Sequence, residues 1–387
     1  MKLNSIEKAK GLKNKKVLVR VDFNVPLDGV KIKDDYRIKA ALPTINFLIK
    51  SEAKVILIAH LGDPKGQVVP ALSLKPVAKR LGQLIKKSVR FVPETFGYKA
   101  DAEIAKMESG DVVFLENLRF HEGELKNDLK FAKRLAANAD LYVNEAFSVC
   151  HRAQASVSAI RKALPVYYGL QLVEEVKALD KILKPVKPLI VIMGGAKIST
   201  KAPIIKKLYS LADQILLGGG LANNFFKYLK LEIGQSLVDE EIKAELKGFF
   251  QRGKLAKKII LPTDVVVKEK NGQAKIKNVD HVLKTDAILD IGPETIALFS
   301  EYIRQAQTIV WNGPLGKFEE NSYKYGTLAI ATAVAARSTG KAYGLVGGGE
   351  TVEALKQTKM EVYVDFVSTA GGAMLSYLGG EKMPGLK

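Results

Sequence analysis

Apolar residues along this chain alternate between short unbroken runs and longer stretches with helical spacing. The runs at 17–21 (VLVRV), 55–59 (VILIA), 112–115 (VVFL) and 141–143 (LYV) have the length and β-branched content of buried strands. Between them the spacing predicts helices near 38–50, 74–87, 101–108 and 125–138. The second half repeats the scheme. Its strand-like runs are 189–193 (LIVIM), 215–217, 259–261, 287–291 (AILDI), 308–311 (TIVW) and 343–346. Helical patterns fall near 202–212, 221–229, 239–256, 294–306, 323–338 and 351–357. Such alternation builds parallel sheets with helices on both faces. The expected fold class is α/β, with two doubly wound parallel-sheet (Rossmann-like) domains. Ligands should gather at the loops beyond the carboxyl ends of the strands.

A boundary is readable within this pattern. Residues 169–183 (GLQLVEEVKALDKIL) carry apolar positions at helical spacing, and the prolines of 184–188 (KPVKP) stop the helix. We read it as a helix joining two lobes, and hence as a hinge element beside a cleft.

The length, 387 residues, fits two domains. A chain 47% hydrophobic and 26% charged is neither disordered nor fibrous. No apolar run approaches the roughly 18 residues of a membrane span. The opening MKLNSIEKAKGLKNKK has no signal-peptide core, so a soluble cytoplasmic protein is expected. One cysteine excludes an internal disulfide, and four scattered histidines cannot complete a standard zinc cage with it.

Charge changes the picture further. The formal net charge is +19, which favours anionic partners. Eight of the eleven arginines lie before residue 165, so the first half looks built to hold a small anion. No basic arm, aromatic RNP motif or zinc finger is present, which disfavours nucleic acid.

The second half is instead rich in glycine turns at strand ends: Gly194-Gly195, Gly218-Gly219-Gly220, Gly347-Gly348-Gly349 and Gly371-Gly372. Glycine lets backbone approach a phosphate, and a following helix offers free N–H groups. No GxGxxG follows a strand, and no GK[ST], HRD or DFG occurs. A dinucleotide dehydrogenase, a Walker-type NTPase and a protein kinase are thereby disfavoured.

Together these segments resemble one family. RVDFNVP (20–26), ENLRFH (116–121), GGAKISTK (194–201), WNGPLG (311–316) and GGGET (347–351) are similar to the motifs of phosphoglycerate kinase, collinear from about residue 5 to the C-terminus. The resemblance implies reversible phosphoryl transfer between 1,3-bisphosphoglycerate and Mg-ADP, giving 3-phosphoglycerate and Mg-ATP. It implies a 3-phosphoglycerate-binding domain over 1–168, an interdomain helix over 169–184 and a nucleotide-binding domain over 185–370. A segment 371–387 would return to the first domain. It further implies a cytoplasmic monomer that closes by hinge bending, with Mg²⁺ carried by the nucleotide. A competing reading is a non-catalytic nucleotide- or nucleic-acid-binding protein on the same fold, for which the charge, Asp63 and Ser148 speak.

On the acid side, the resemblance assigns Asp22 and Asn24 to the glycerate hydroxyl and carboxylate end. Arg37 would bridge to the transferring phosphoryl, and otherwise forms a surface salt bridge to Asp34 or Asp35. His60, Arg119 and Arg152 complete the substrate patch. His121 reads as structural and Cys150 as a buried thiol. The chain departs from the family at HLGDP, where Asp63 stands at an arginine position. Either Asp63 turns away and Lys65 or Arg20 substitutes, or affinity for the acid is reduced. NEAFSVCHR departs as well, at Glu145, Ser148, Val149 and Cys150.

On the nucleotide side, Lys197 would stabilise the moving phosphoryl. Lys201, four residues on, would lie on the same helix face and contact nucleotide phosphates. Gly195, Gly219 and Gly220 would line the adenine slot. Asn312, Pro314 and Glu319 would border adenosine, with Glu319 on the ribose. Gly348 and Thr351 would flank Glu350, which would coordinate Mg²⁺ together with the phosphates. Gly349 and Gly372 would direct N–H groups at the transferring phosphoryl.

Overall fold

The computed structural model describes residues 3–195, 201–239 and 257–386. Lys197, and the helix expected over 239–256 from residue 240 onward, lie outside the described residues. The chain forms two compact units. One runs to Lys177 and takes the chain back from Lys382; the other is Ala178–Glu381.

The first unit holds a six-stranded sheet in the order Val89–Val92, Val112–Leu115, Lys54–Ile58, Lys16–Arg20, Leu141–Asn144, Val166–Tyr168. Every pairing is parallel. Strand alternation sends side chains to two cores. Val17, Val19, Val55 and Leu57 pack with Ile38, Ile45 and Leu48 of the helix Tyr36–Lys50 and with Val77 and Leu81 of the helix Lys75–Ile85. Leu18, Ile56 and Ile58 face the other way, toward Ile104, Phe131 and Leu135. A sheet covered on both faces needs such continuous apolar runs.

The second unit has its own all-parallel sheet, ordered Ile259–Ile260, Gln214–Leu217, Leu189–Met193, Thr308–Asn312, Tyr343–Gly347, Phe366–Ser368. In chain order this is 3-2-1-4-5-6, the doubly wound arrangement, and it reverses between Leu189–Met193 and Thr308–Asn312. Ile190, Ile192, Ile309 and Trp311 are buried in its core.

Three details differ from the sequence reading. The run 287–291 is a strand, but in a separate antiparallel sheet ordered Ala274–Asn278, Asp264–Lys268, Ala287–Ile291. The helix pattern near 125–138 is split into Glu122–Leu125 and Leu129–Ala136, because Asp128 caps the second piece by accepting from Lys130 N and Phe131 N. Residues 371–381, expected to return to the first domain, belong to the second unit, and only the chain from Lys382 rejoins the first.

The connecting helix spans Leu170–Leu183 and the units divide within it. No helix among the described residues is long and apolar enough to cross a membrane.

Candidate active site

In the first unit, the strand Lys16–Arg20 ends on a fully buried arginine. Burying a guanidinium is costly unless its donors are used. Each of the three Arg20 nitrogens is engaged: Nη1 donates to Val21 O at 2.5 Å, Nε to Ser156 Oγ at 3.1 Å and Nη2 to His60 Nδ1 at 2.9 Å. Ser156 Oγ donates in turn to the buried Glu124 at 2.6 Å, which brings a countercharge within one residue. A guanidinium has no acceptor, so His60 Nδ1 must accept and the ring proton sits on Nε2. Burial, and then Arg20, Arg119, Arg152 and Arg37, hold the His60 pKa well below its ordinary value. His60 is therefore a neutral donor inside a cluster of four arginines.

Arg119 follows Asn117, whose Oδ1 accepts from Arg119 N and so sets the short turn Leu118–Phe120. Arg119 Nη1 donates to Gly62 O at 2.8 Å, while Nε and Nη2 are buried with no hydrogen-bond partner among the described residues. Burial and the Arg152 and Arg20 charges pull its pKa down to about 10, against Asp63 and Glu124. Two orphaned cationic donors in an arginine cluster have the chemistry to hold an anion.

Arg37 sits in the first turn of the helix Tyr36–Lys50 and pairs with Asp22 at 2.5 Å. Asp35 is taken by Arg80 and Lys39, and Asp34 accepts from Tyr36 N. Asn24 Oδ1 accepts from Gly62 N at 2.9 Å and ties the 22–26 loop to the 60–62 loop. The structure thus brings Asp22, Asn24, Arg37, His60 and Arg119 together, with the exposed Arg152 close enough to perturb His60 and Arg119. Asp63 is exposed, and its charge reaches Arg119. His121 is structural: Nε2 lies 3.0 Å from Thr95 Oγ1 and the ring packs on Phe96 and Phe131. Cys150 is fully buried, and burial pushes its thiol up to about 12.

In the second unit, the loops beyond the reversal point of the sheet are bonded to one another. Gly195 N donates to Pro314 O at 2.8 Å, Gly219 N to Leu315 O at 2.9 Å and Leu221 N to Gly195 O at 2.9 Å. Asn312 Nδ2 donates to Gly347 O at 2.8 Å, and Gly313 N to Thr351 Oγ1 at 2.7 Å. Glycine is required at two of these points. A Cβ on Gly194 would lie 2.0 Å from Pro314 O; Gly313 has φ +95° and a Cβ there would meet Gly194 O at 2.3 Å.

Lys201 is turned into this knot. Its Nζ donates to Gly194 O and to Asn312 O, and burial lowers its pKa to about 8, with Glu350 opposing. The helix Ala202–Leu211 begins just after Lys201, its cap residue; the helix face expected to be shared with Lys197 lies outside the described residues. Thr351 and Asn312, expected against ligand, are buried scaffold groups of the knot. Gly220 O accepts from Asn224 Nδ2 at 2.6 Å. Glu319 is exposed beyond the loop. Gly348 caps the helix Gly349–Gln357, whose first turn exposes Gly349 and Glu350. Gly372 opens the helix Gly372–Leu378, packed on Gly347 through Met374.

Sequence reasoning left several supporting residues unassigned. Arg20 enters the sequence reading only as a stand-in for the arginine absent at Asp63, and its complete burial against His60 is what reveals a supporting place. Thr327 Oγ1 accepts from Leu315 N and Gly316 N, and Asp290, pushed up to about 7 by burial, accepts from Gly326 N beneath the same loop.

Comparison with known proteins bears on this geometry. The family model described as phosphoglycerate kinase matches residues 6–381. A phosphoglycerate kinase of Geobacter metallireducens is 42% identical over all of this chain and 98% of its own length. That of Bifidobacterium adolescentis is 44% identical, covering 97% of each chain. The solved structure of phosphoglycerate kinase from Coxiella burnetii superposes with a TM-score of 0.87 at 37% identity, over 100% of this chain and 98% of that one. Its counterpart from Pyrococcus horikoshii gives 0.86 at 30% identity, over 99% and 98%. The family model over nearly the whole chain, the full-length relatives and the shared fold agree, and the chain belongs to the phosphoglycerate kinase family.

Proposed function

We infer that this chain catalyses reversible phosphoryl transfer between 1,3-bisphosphoglycerate and ADP, giving 3-phosphoglycerate and ATP. It is a phosphotransferase with a carboxylate as acceptor. The observation that carries the site reading is Arg119, buried with two unsatisfied cationic donors beside the neutral Nε2–H of His60. A dianionic phosphate fits there, with Arg20 behind it and Arg152 at the rim. Asp22 and Asn24 orient the glycerate end. Arg37 leans on Asp22 and balances charge on the transferring group.

In the ATP-consuming direction, a 3-phosphoglycerate carboxylate oxygen attacks the γ-phosphorus and ADP leaves. The nucleophile is already an anion, so no general base is needed. Positioning and charge neutralisation supply the rate. The second unit holds the nucleotide on its glycine knot. Lys201 meets the phosphates, and Gly349 and Gly372 offer N–H groups to the moving phosphoryl; Lys197 is assigned to it from its place in GGAK. Mg²⁺ needs one or two carboxylates beside nucleotide phosphates, and the exposed Glu350 at a helix start fits that donor set. When bound, Mg²⁺ neutralises phosphate charge. The acid site and the glycine knot lie on different units, and in this reading transfer requires hinge closure; action as a cytoplasmic monomer is carried over from the family resemblance.

The test is formation of acyl phosphate from Mg-ATP and 3-phosphoglycerate, trapped by a coupling dehydrogenase. A non-catalytic binding protein would bind nucleotide and give no product. That reading is not favoured, since family membership extends over nearly the whole chain.

A further inference from the structure

The chain passes between the two units twice, within the helix Leu170–Leu183 and after Glu381. On the first-unit side, two adjacent residues hold both passages. Asn144 ends the strand Leu141–Asn144, and its Nδ2 donates to Gly385 O of the returning segment at 3.2 Å. Glu145 holds the start of the helix. Its Oε1 accepts from Gln171 N at 3.2 Å and its Oε2 from Leu172 N at 3.3 Å. Thr44 completes the box: its hydroxyl donates to Glu145 Oε1 at 2.6 Å and accepts from Leu170 N at 2.7 Å.

The first three N–H groups of the helix are thus satisfied by two side chains that lie outside it. A helix start is usually capped by its own preceding residue. Here that residue is Gly169, and a Cβ there would fall 1.8 Å from Glu145 Oε2. The local chain has given up its cap to admit a distant carboxylate. Thr44 and Glu145 are 0% and 4% exposed, so the box is shielded from water.

Its other attachments lead to the acid site. Thr44 lies two turns beyond Arg37 on the helix Tyr36–Lys50. Glu145 N donates to Arg20 O at 2.9 Å, and the Arg20 side chain contacts His60. The same few residues therefore touch the helix carrying Arg37, the strand carrying Arg20 and both passages to the second unit.

We propose that Glu145, with Thr44, is a positioning residue for phosphoryl transfer, coupling occupancy of the acid site to the direction in which the connecting helix leaves the first unit. It makes no contact with substrate in this proposal. The inference rests on the site reading above, that acid and nucleotide bind on separate units.

The experiment uses the full chain and the variants Glu145→Gln and Thr44→Val. Gln keeps the volume but turns an amide toward a helix N–H; Val is isosteric and removes the hydroxyl while leaving Glu145 in place. Affinities for 3-phosphoglycerate and for ADP are measured separately, together with kcat and the contraction seen by small-angle scattering when both ligands are added. The proposal expects both affinities within about twofold of the parent, kcat down about tenfold or more, and the contraction diminished. Thr44→Ser should behave as the parent. Normal kcat in Thr44→Val, or a kcat loss matched by weaker 3-phosphoglycerate binding with contraction intact, overturns it. If Glu145→Gln does not fold, Thr44→Val decides alone. A parent that fails to bind 3-phosphoglycerate would instead defeat the site reading.

Discussion

Arg20 Nη2 lies 2.9 Å from His60 Nδ1, and this contact fixes what the histidine can do. With Nδ1 accepting from a permanent cation, the imidazole is neutral and presents Nε2–H. Four arginines around it make protonation costly. The proposed anion site therefore combines arginine charge with one neutral donor whose tautomer is set by the protein.

The first prediction concerns that histidine and pH. Its folded pKa is lowered, so the unfolded chain binds more protons as pH falls below about 6.5. The His60 contribution to stability is complete above that pH and is lost on acidification. Urea denaturation at pH 5 and 7.5 should show a larger acid-induced loss in the parent than in His60→Asn. Equal losses would mean that the buried ring is not held neutral.

Arg119 should separate stability from function. Its two orphaned donors are unfavourable until an anion arrives. Arg119→Gln should weaken 3-phosphoglycerate binding about 100-fold while leaving the thermal midpoint equal or higher. Adding 3-phosphoglycerate should raise the midpoint of the parent and not of the variant. Calorimetry and a thermal scan read both effects.

Lys201 carries the pH dependence of the nucleotide side. Burial lowers its pKa to about 8, and only the protonated amine attracts phosphate. ADP affinity should be level below that pH and fall by up to about tenfold per pH unit above it. Lys201→Arg, which stays charged, should flatten the profile measured by titration calorimetry.

Gly169 tests the packing of the helix box. A Cβ 1.8 Å from Glu145 Oε2 cannot be accommodated without displacing the carboxylate. Gly169→Ala should cost about 3 kcal/mol in urea denaturation, through overpacking and a disturbed buried carboxylate. Gly29→Ala, in open space at the surface, is the reference for a glycine with no such neighbour; its positive φ of 56° adds only local strain.

Much of this was legible in the sequence. The strands 112–115 and 189–193 and the connecting helix follow from unbroken apolar runs and from 3.6-residue spacing, because buried faces demand them. Val89–Val92, Val166–Tyr168 and Phe366–Ser368 escaped because they are short, and most of their residues are only half buried. AILDI was legible as a strand, but its antiparallel partners were not, since pairing direction leaves no mark in one strand's pattern. Site motifs were legible as motifs. Their supports were not. Arg20, Glu124 and Ser156 form one chain across positions 20, 124 and 156, and the Thr44–Glu145 box spans a hundred residues of sequence, so nothing local marks either.

The central claim is phosphoryl transfer across two sites on two units. Its most direct test is acyl phosphate formation from Mg-ATP and 3-phosphoglycerate by the purified chain, beside Arg37→Ala. The account predicts turnover that requires both substrates, and a kcat lowered about 100-fold or more in the variant with ATP affinity retained. A folded parent that binds ATP and forms no product, or an Arg37→Ala variant that turns over normally, would contradict it.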